Sequence, residues 1–185
     1  MVERLEEEYN IEVDWRPFYL RPDTPPEGME LPDYIKRARA NGSEERLLQI
    51  AQAYGMSFVS TQRIYNTRLA HEATEYAREH GKAIEFHRIV FRKVYADGLD
   101  ISRWNTLRDA VQEAGLDAAD MQQEVESGKY TTEVAARVKE AYQIGVSGVP
   151  TYVINDRYAI VGAQPYEAFQ RALVQIGIRL STHGL

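Results

Sequence analysis

Apolar positions along the chain follow three different periods, and each change of period marks a change of structure. Val2, Leu5 and Tyr9 recur at helical spacing among glutamates, which predicts a helix at the start of the chain. Residues 11 to 20 then alternate, with Ile11, Val13 and Trp15 on one side and Glu12, Asp14 and Arg16 on the other, the period of a strand with one buried face. Pro22, Pro25, Pro26 and Gly28 follow; they remove backbone donors and restrict the chain to turn and extended conformations, so a loop ends this first regime.

The next period is helical for about 100 residues. Leu47, Leu48, Ala51 and Tyr54 form one stripe, Leu107, Ala110, Val111 and Ala114 a second, and Val134, Val138, Ala141 and Tyr142 a third. Each stripe calls for a helical neighbour, which predicts a bundle of six or seven helices. Gly81 and Gly115 fit C-terminal caps, and Ser43, Ser102 and Asp117 can accept from the free N–H groups of the helices they precede. Between Ala83 and Tyr95 the apolar positions Ile84, Phe86, Ile89, Val90, Phe91 and Val94 cover more than one stripe, which predicts a central place in the bundle.

At Gly145 the pattern changes again. Thr151 to Ile154 and Tyr158 to Val161 are short, β-branched and aromatic, and Asn155-Asp156-Arg157 between them reads as a hairpin turn. A last helix is predicted with Pro165 in its first turn and Ala168, Phe169, Ala172, Leu173 and Ile176 on one face, followed by a loose tail after Gly177. The order helix, strand, helical block, strand, strand, helix describes an α/β scaffold interrupted by an all-helical insertion.

Composition narrows the function. With 44% hydrophobic and 27% charged positions, 185 residues suffice for one soluble domain with a real core and a large insertion. The net charge of -6 and the lack of a basic run interleaved with aromatics argue against nucleic acid as a partner. No stretch approaches the roughly 20 apolar residues of a membrane span, and the acidic opening is unlike a signal peptide, so the expectation is a cytoplasmic protein with no membrane partner. There is no cysteine, which excludes a disulfide, a thiol nucleophile and a dithiol couple within these residues.

The segment Gly145-Val146-Ser147-Gly148-Val149-Pro150-Thr151-Tyr152, followed by the hairpin and by Gly162-Ala163-Gln164-Pro165 opening a helix, resembles the end of DsbA-like thioredoxin-fold proteins of the FrnE branch. The likeness extends upstream through the Trp15 to Gly28 strand and proline loop, Asn66-Thr67, Phe91-Arg92-Lys93-Val94-Tyr95, Gly98-Leu99-Asp100-Ile101-Ser102 and Ala114-Gly115-Leu116-Asp117. Hydroxychromene carboxylate isomerases and kappa-class glutathione transferases share the layout. The resemblance implies an incomplete thioredoxin-like domain over residues 1–30 and 143–180, with an inserted helical domain over 31–142.

It also implies roles. Pro150 matches the cis-proline of a loop that faces the redox dithiol, and the Val149 backbone, with Thr151 beside it, is placed to meet an extended peptide or a small thiol. Asn66 matches a position where a helix of the insertion faces the active-site groove; capping that helix is its alternative role. No residue here matches the family's Cys-x-x-Cys, which sits at the N-terminus of the first helix where the dipole favours the thiolate. The catalytic motif is therefore not in this chain, no metal or cofactor is expected, and glutathione is the one small-molecule candidate. His71, His80 and His87 lack a partner carboxylate at metal-site spacing and are expected to be solvated, as is the Glu6-Glu7-Glu8 face. The twelve tyrosines read as core and rim residues.

The family topology implies that the first, central strand and the start of its helix, about 20 to 30 residues by element lengths, are absent. Its loss would leave two strand flanks unpaired, at roughly 1 to 3 kcal/mol per unsatisfied buried group. The expectations are a start assigned at an internal methionine, with a native protein heavier than 21.2 kDa, a deliberate fragment, or a chain that borrows a strand or forms a homo-oligomer through its open edges. Three functions follow: a thiol-disulfide oxidoreductase family member inactive as this chain alone, a glutathione-dependent isomerase or transferase, or a non-catalytic peptide-binding module.

Overall fold

The computed structural model describes residues 1–181. The chain divides into two compact units, one built from Met1–Leu20 and the chain from Arg137 onward, the other from Arg21–Ala136.

The first unit contains α1 (Val2–Glu8), the last turns of a helix that ends at Gln143, a hairpin of Thr151–Ile154 and Tyr158–Val161, and a final helix Tyr166–Gln175. Its core is small: Leu5 and Tyr9 meet Phe169 and Leu173, with Tyr152, Ile154 and Ile160 of the hairpin packed against them. The Tyr152 and Phe169 rings meet edge to face with centroids 4.7 Å apart. The hairpin register pairs Thr151 with Val161 and Ile154 with Tyr158. Asn155 and Asp156 turn the chain with φ of 51° and 54°, a left-handed conformation that these two residue types tolerate better than most.

The strand predicted over residues 11 to 20 is not formed. Ile11 and Val13 are half-buried and Glu12 and Asp14 exposed, so the alternation begins as expected, but Trp15 is exposed and Pro17 is buried. Proline has no N–H to give a ladder, and its presence inside the run was the signal against a strand. The segment is held instead by side chains: Arg16 donates to Asp14 at 3.0 Å and to Glu140 at 2.7 Å, and the Tyr142 hydroxyl donates to the Tyr19 carbonyl at 2.6 Å. The tail is not loose through residue 181. Leu180 bridges Tyr9 in antiparallel fashion, and Ser181 N donates to Glu8 O at 2.8 Å. Residues 182–185 lie outside the described residues.

The second unit is helical. A two-residue ladder joins β1 (Met29–Glu30) to β2 (Arg63–Ile64). Gly28 precedes it at φ +74, where a Cβ would lie 2.6 Å from the Ile64 carbonyl oxygen, so only glycine fits. Then come α2 (Asp33–Ala38), a π-type turn at Arg39–Ser43, α3 (Glu44–Ala53), α4 (Arg68–Glu79), α5 (Ala83–Tyr95), α6 (Trp104–Glu113), α7 (Ala118–Glu126) and α8 (Thr131–Gln143), the helix that leads back into the first unit. The hairpin strands are β3 and β4 and the last helix is α9. Helices α4 to α7 pack around Tyr76, Phe86, Leu107, Val111 and Met121, each essentially inaccessible to water. Burial of Phe86 or Leu107 stabilises the unit by about 1.5–3 kcal/mol apiece.

Two predicted packings differ. In α3 only Ala51 is buried, and Leu47, Leu48 and Tyr54 stay exposed, because α3 packs chiefly on the turn before it. Helix α5 is not enclosed: Phe86, Ile89 and Val90 are buried, but Ile84 and Phe91 are 44% and 50% exposed. Caps also differ in part. Asp117 accepts from Ala119 N and Asp120 N as expected, at 2.8 and 3.0 Å. Ser43 makes no capping bond, and Ser102 donates its own N–H and hydroxyl to Asp100, leaving Arg103 as the cap of α6.

Candidate functional site

The loop entering β3 is built by three local devices. Gly145, at φ +85, ends α8: Gly145 N donates to Tyr142 O at 3.1 Å and Val146 N to Ala141 O at 2.9 Å, a left-handed glycine cap. Thr151 Oγ1 then donates back to the Gly148 carbonyl at 2.7 Å, closing the turn around Val149 and Pro150. On the far side Gly162 N donates to the Pro150 carbonyl at 2.8 Å, which extends the β3–β4 pairing by one bond. The Val149–Pro150 peptide is cis. Val149 is 55% exposed and Pro150 is exposed, so the loop is fixed at its base and open at its tip.

Such a loop can present backbone and an apolar side chain to an extended chain; Gly148, Val149 and Pro150 bring no titratable group. Among the described residues β3 pairs with β4 alone. Val149, Pro150 and Thr151 are thus brought together by one turn and one hairpin. Asn66 lies in the other unit, and both ends of its amide are occupied: Nδ2 donates to Thr24 O at 2.6 Å and Oδ1 accepts from Arg68 N at 2.9 Å. Asn66 thus bonds the first amide of α4 and pins the proline loop, while Thr67 is the N-cap of that helix and makes no side-chain capping bond.

The glutamate run is not merely a solvated face. Glu8 accepts from Arg4 Nε and from the Tyr166 hydroxyl, both at 2.6 Å, and the Arg4 guanidinium lies 4.0 Å from the Tyr166 ring centroid. This lock fixes α1 to the first residue of α9, directly after the Gly162–Pro165 turn. The hydrogen bond from Tyr166, with that from Arg4, holds the Glu8 carboxyl below its ordinary range, and burial with the Glu8 charge pushes the Tyr166 phenol up to about 12. The Val2, Leu5 and Tyr9 stripe located the helix, but nothing in the sequence pointed to Tyr166 as the partner of Glu8.

The histidines are also less solvated than expected. His87 is half-buried, its ring 4.4 Å from that of Phe91; burial, with Arg88 beside it, lowers its pKa. His71 is half-buried as well, while His80 is exposed with Nδ1 2.8 Å from the Tyr76 carbonyl. Among the described residues no group of three or more His, Asp or Glu side chains could hold a metal ion, and no helix is long and apolar enough to cross a membrane.

Comparison with known proteins gives a consistent family. Residues 1–174 match the DSBA-like thioredoxin domain. The protein YwbO of Bacillus subtilis (strain 168) is 28% identical over 167 residues, 89% of this chain and 82% of that protein. Among solved structures, the probable DsbA oxidoreductase SCO1869 of Streptomyces coelicolor is similar with a TM-score of 0.78 and 28% identity, over 86% of this chain and 73% of that one. A 2-hydroxychromene-2-carboxylate isomerase superposes with a TM-score of 0.75 over 95% of this chain and 86% of its own, at 18% identity, a likeness of fold.

Proposed function

The chain belongs to the DSBA-like thioredoxin domain family, and from that premise we propose that its loop at Val149, Pro150 and Thr151 binds a disulfide-containing or thiol peptide in a thiol-disulfide oxidoreductase of the FrnE branch. The observation that carries the reading is the loop itself: open at Val149 and Pro150, and clamped beneath by the Thr151–Gly148 and Gly162–Pro150 bonds. An extended peptide would add to the loop backbone as a further strand, with main-chain hydrogen bonds giving affinity. Exchange needs a thiolate to attack the substrate disulfide and a second cysteine to resolve the mixed disulfide. None of the 185 residues is cysteine, so neither sulfur comes from them, and what these residues supply is binding. In this reading 31–142 is the inserted domain and 1–30 with 143–180 the thioredoxin-like body.

The test is a titration of the isotopically labelled protein, followed by NMR, with a short extended peptide carrying an internal disulfide and separately with oxidised glutathione. The expected result is a saturable shift of the Ser147, Gly148, Val149 and Thr151 amides with the peptide, weakened at least tenfold by Val149→Pro, which lacks the amide donor. Insulin reduction should stay at the dithiothreitol background. Amides of Ser147, Gly148, Val149 and Thr151 that the peptide leaves unmoved sink the proposal; saturation by glutathione alone puts the isomerase or transferase reading in its place.

A further inference from the structure

A path of hydrogen bonds leads from the Val149–Pro150 loop to the start of α9. Gly162 N donates to the Pro150 carbonyl at 2.8 Å, Gln164 N to the Gly162 carbonyl at 2.9 Å, and Gln164 Nε2 to the Val161 carbonyl at 2.9 Å, so the turn is folded back onto the end of β4. Pro165 then enters α9 with φ of -59° and ψ of 151° and makes no side-chain capping bond. The next residue, Tyr166, fastens the path at its other end: its hydroxyl donates to Glu8 of α1 at 2.6 Å, and Arg4 Nε donates to the same carboxylate at 2.6 Å. The Tyr166 bond has the length of an O–H donor on a charged acceptor, the stronger class of hydrogen bond. The Arg4 and Glu8 side chains are 59% and 32% exposed, where an ion pair alone contributes little. The phenol is therefore the main fastening.

We propose that Tyr166 is a positioning residue for peptide binding at the loop: its bond to Glu8, acting through the Gly162–Pro165 turn, holds Gly162 against Pro150 and so keeps the Val149 and Thr151 backbone where an extended peptide can pair with it. The inference rests on the peptide-binding reading above and adds the residues that make the loop ready for its ligand. Phe169 and Leu173 seat α9 on the small core one turn and two turns further along. Apolar contact of that kind is non-directional and leaves the first turn free to slide and rotate. The Tyr166–Glu8 bond is directional and removes that freedom at the residue next to the turn. Backbone pairing with a ligand demands placement to within about 0.5 Å, so a restraint on Gly162 is felt in affinity before it is felt in the fold. The coupling is reciprocal: if the Tyr166–Glu8 bond favours bound peptide, bound peptide favours the bond by the same factor. Glu8 can report this, since its carboxyl is already held below its ordinary range by the hydrogen bond from Tyr166 and then by that from Arg4.

The labelled protein and the disulfide peptide of the preceding titration test this. Tyr166→Phe, which keeps the ring and deletes the hydroxyl, should raise the peptide's dissociation constant about threefold to tenfold, the range of one ordinary hydrogen bond, and speed exchange of the Gly162 amide. Glu8→Ala should do the same, Glu8→Gln, which keeps an acceptor oxygen, should stay nearer to wild type, and Tyr166→Phe/Glu8→Ala should lose no more than either single variant. Asp117→Ala, which removes a cap in the other unit, should leave the dissociation constant within about twofold. Unchanged far-ultraviolet circular dichroism certifies that each variant is folded. A further readout needs no variant: saturating peptide should move the Glu8 carboxyl titration of the wild-type protein to lower pH. Wild-type binding that Tyr166→Phe and Glu8→Ala leave unchanged overturns the positioning role and spares the peptide-binding reading, as do additive losses in the double variant or a Glu8 titration indifferent to peptide. A wild-type protein that does not bind the peptide removes that reading and the positioning role with it.

Discussion

Removing Arg68 should cost more than removing the carboxylate it pairs with. Glu72 on α4 is 1% exposed, and it accepts from Arg68 Nη1 at 3.0 and 2.8 Å through its two oxygens and from Thr131 Oγ1 at 3.0 Å. Breaking a fully buried pair by deleting one partner costs about 3–5 kcal/mol, because the remaining charge stays in the interior. The Arg68 side chain, however, is 53% exposed, so solvent screens the pair and the expected cost of Arg68→Ala falls to about 2 kcal/mol. For a chain of this length that lowers the melting temperature by about 4–8 °C. In Glu72→Leu the half-exposed guanidinium returns to water, and the double variant Arg68→Ala/Glu72→Leu should recover at least half of the single loss, a coupling of about 1–2 kcal/mol. Urea denaturation followed by circular dichroism, with m held constant, measures all four proteins. If Arg68→Ala lies within about 0.5 kcal/mol of wild type, or if the double variant is as unstable as that single one, the buried carboxylate does not depend on its cation and the reasoning is wrong.

Thr151→Val keeps the shape of the side chain and deletes its bond to the Gly148 carbonyl; at a half-buried site the loss should be about 0.5–1 kcal/mol, with faster hydrogen exchange confined to the amides of Gly148, Val149, Thr151 and Tyr152. Asp117→Ala removes both capping bonds to Ala119 and Asp120 and should destabilise the helical unit by about 1 kcal/mol; calorimetry reads it. His87 gives the pH dependence. Its folded pKa is depressed by burial and then by Arg88, so the unfolded chain binds the extra proton: stability is full above about 6.5 and is lost as pH falls through the lowered folded value. His87→Gln should flatten the stability profile just below pH 6.5, and an unchanged slope between the two proteins refutes the assignment. The carboxyls of Glu8, Glu79, Glu113 and Glu124, which act in the same sense, are lowered from a starting value of 4.5 and lose their contribution at more acid pH.

Legibility in the sequence followed the range of the interactions. The β3–β4 hairpin, the final helix and the Asp117 cap depend on neighbours a few residues away, and their residues announced them: β-branched runs around Asn155-Asp156, an apolar stripe at Phe169 and Leu173, an aspartate two residues before a free amide. The loop at Val149 to Thr151 was singled out by resemblance to a family and not by local pattern; its clamp, Thr151 reaching back three residues and Gly162 reaching across one hairpin, was not foreseen. What failed were contacts that need one particular partner far along the chain. Periodicity at Ile11, Val13 and Trp15 says that one side wants burial and says nothing of whether a strand exists to share its hydrogen bonds; the segment went to α8 through Arg16–Glu140 and Tyr142–Tyr19, contacts more than 120 residues apart.

The same logic separates the two surprises at α3 and α5 from ordinary misreading. A hydrophobic stripe records a demand for cover, and the sequence reports the demand without naming what meets it. For Phe86, Ile89 and Val90 the cover is the rest of the helical unit, and the expectation of burial holds. For Ile84, Phe91 and Tyr95 the same chain offers no cover among the described residues, yet the row is ordered by ring contacts to Phe58 and His87 instead of being scattered singly. Spacing over-predicted burial on this side of α5 because periodicity counts apolar side chains without saying how wide a face the neighbouring helices cover, and α4 and α6 cover the face of Phe86, Ile89 and Val90.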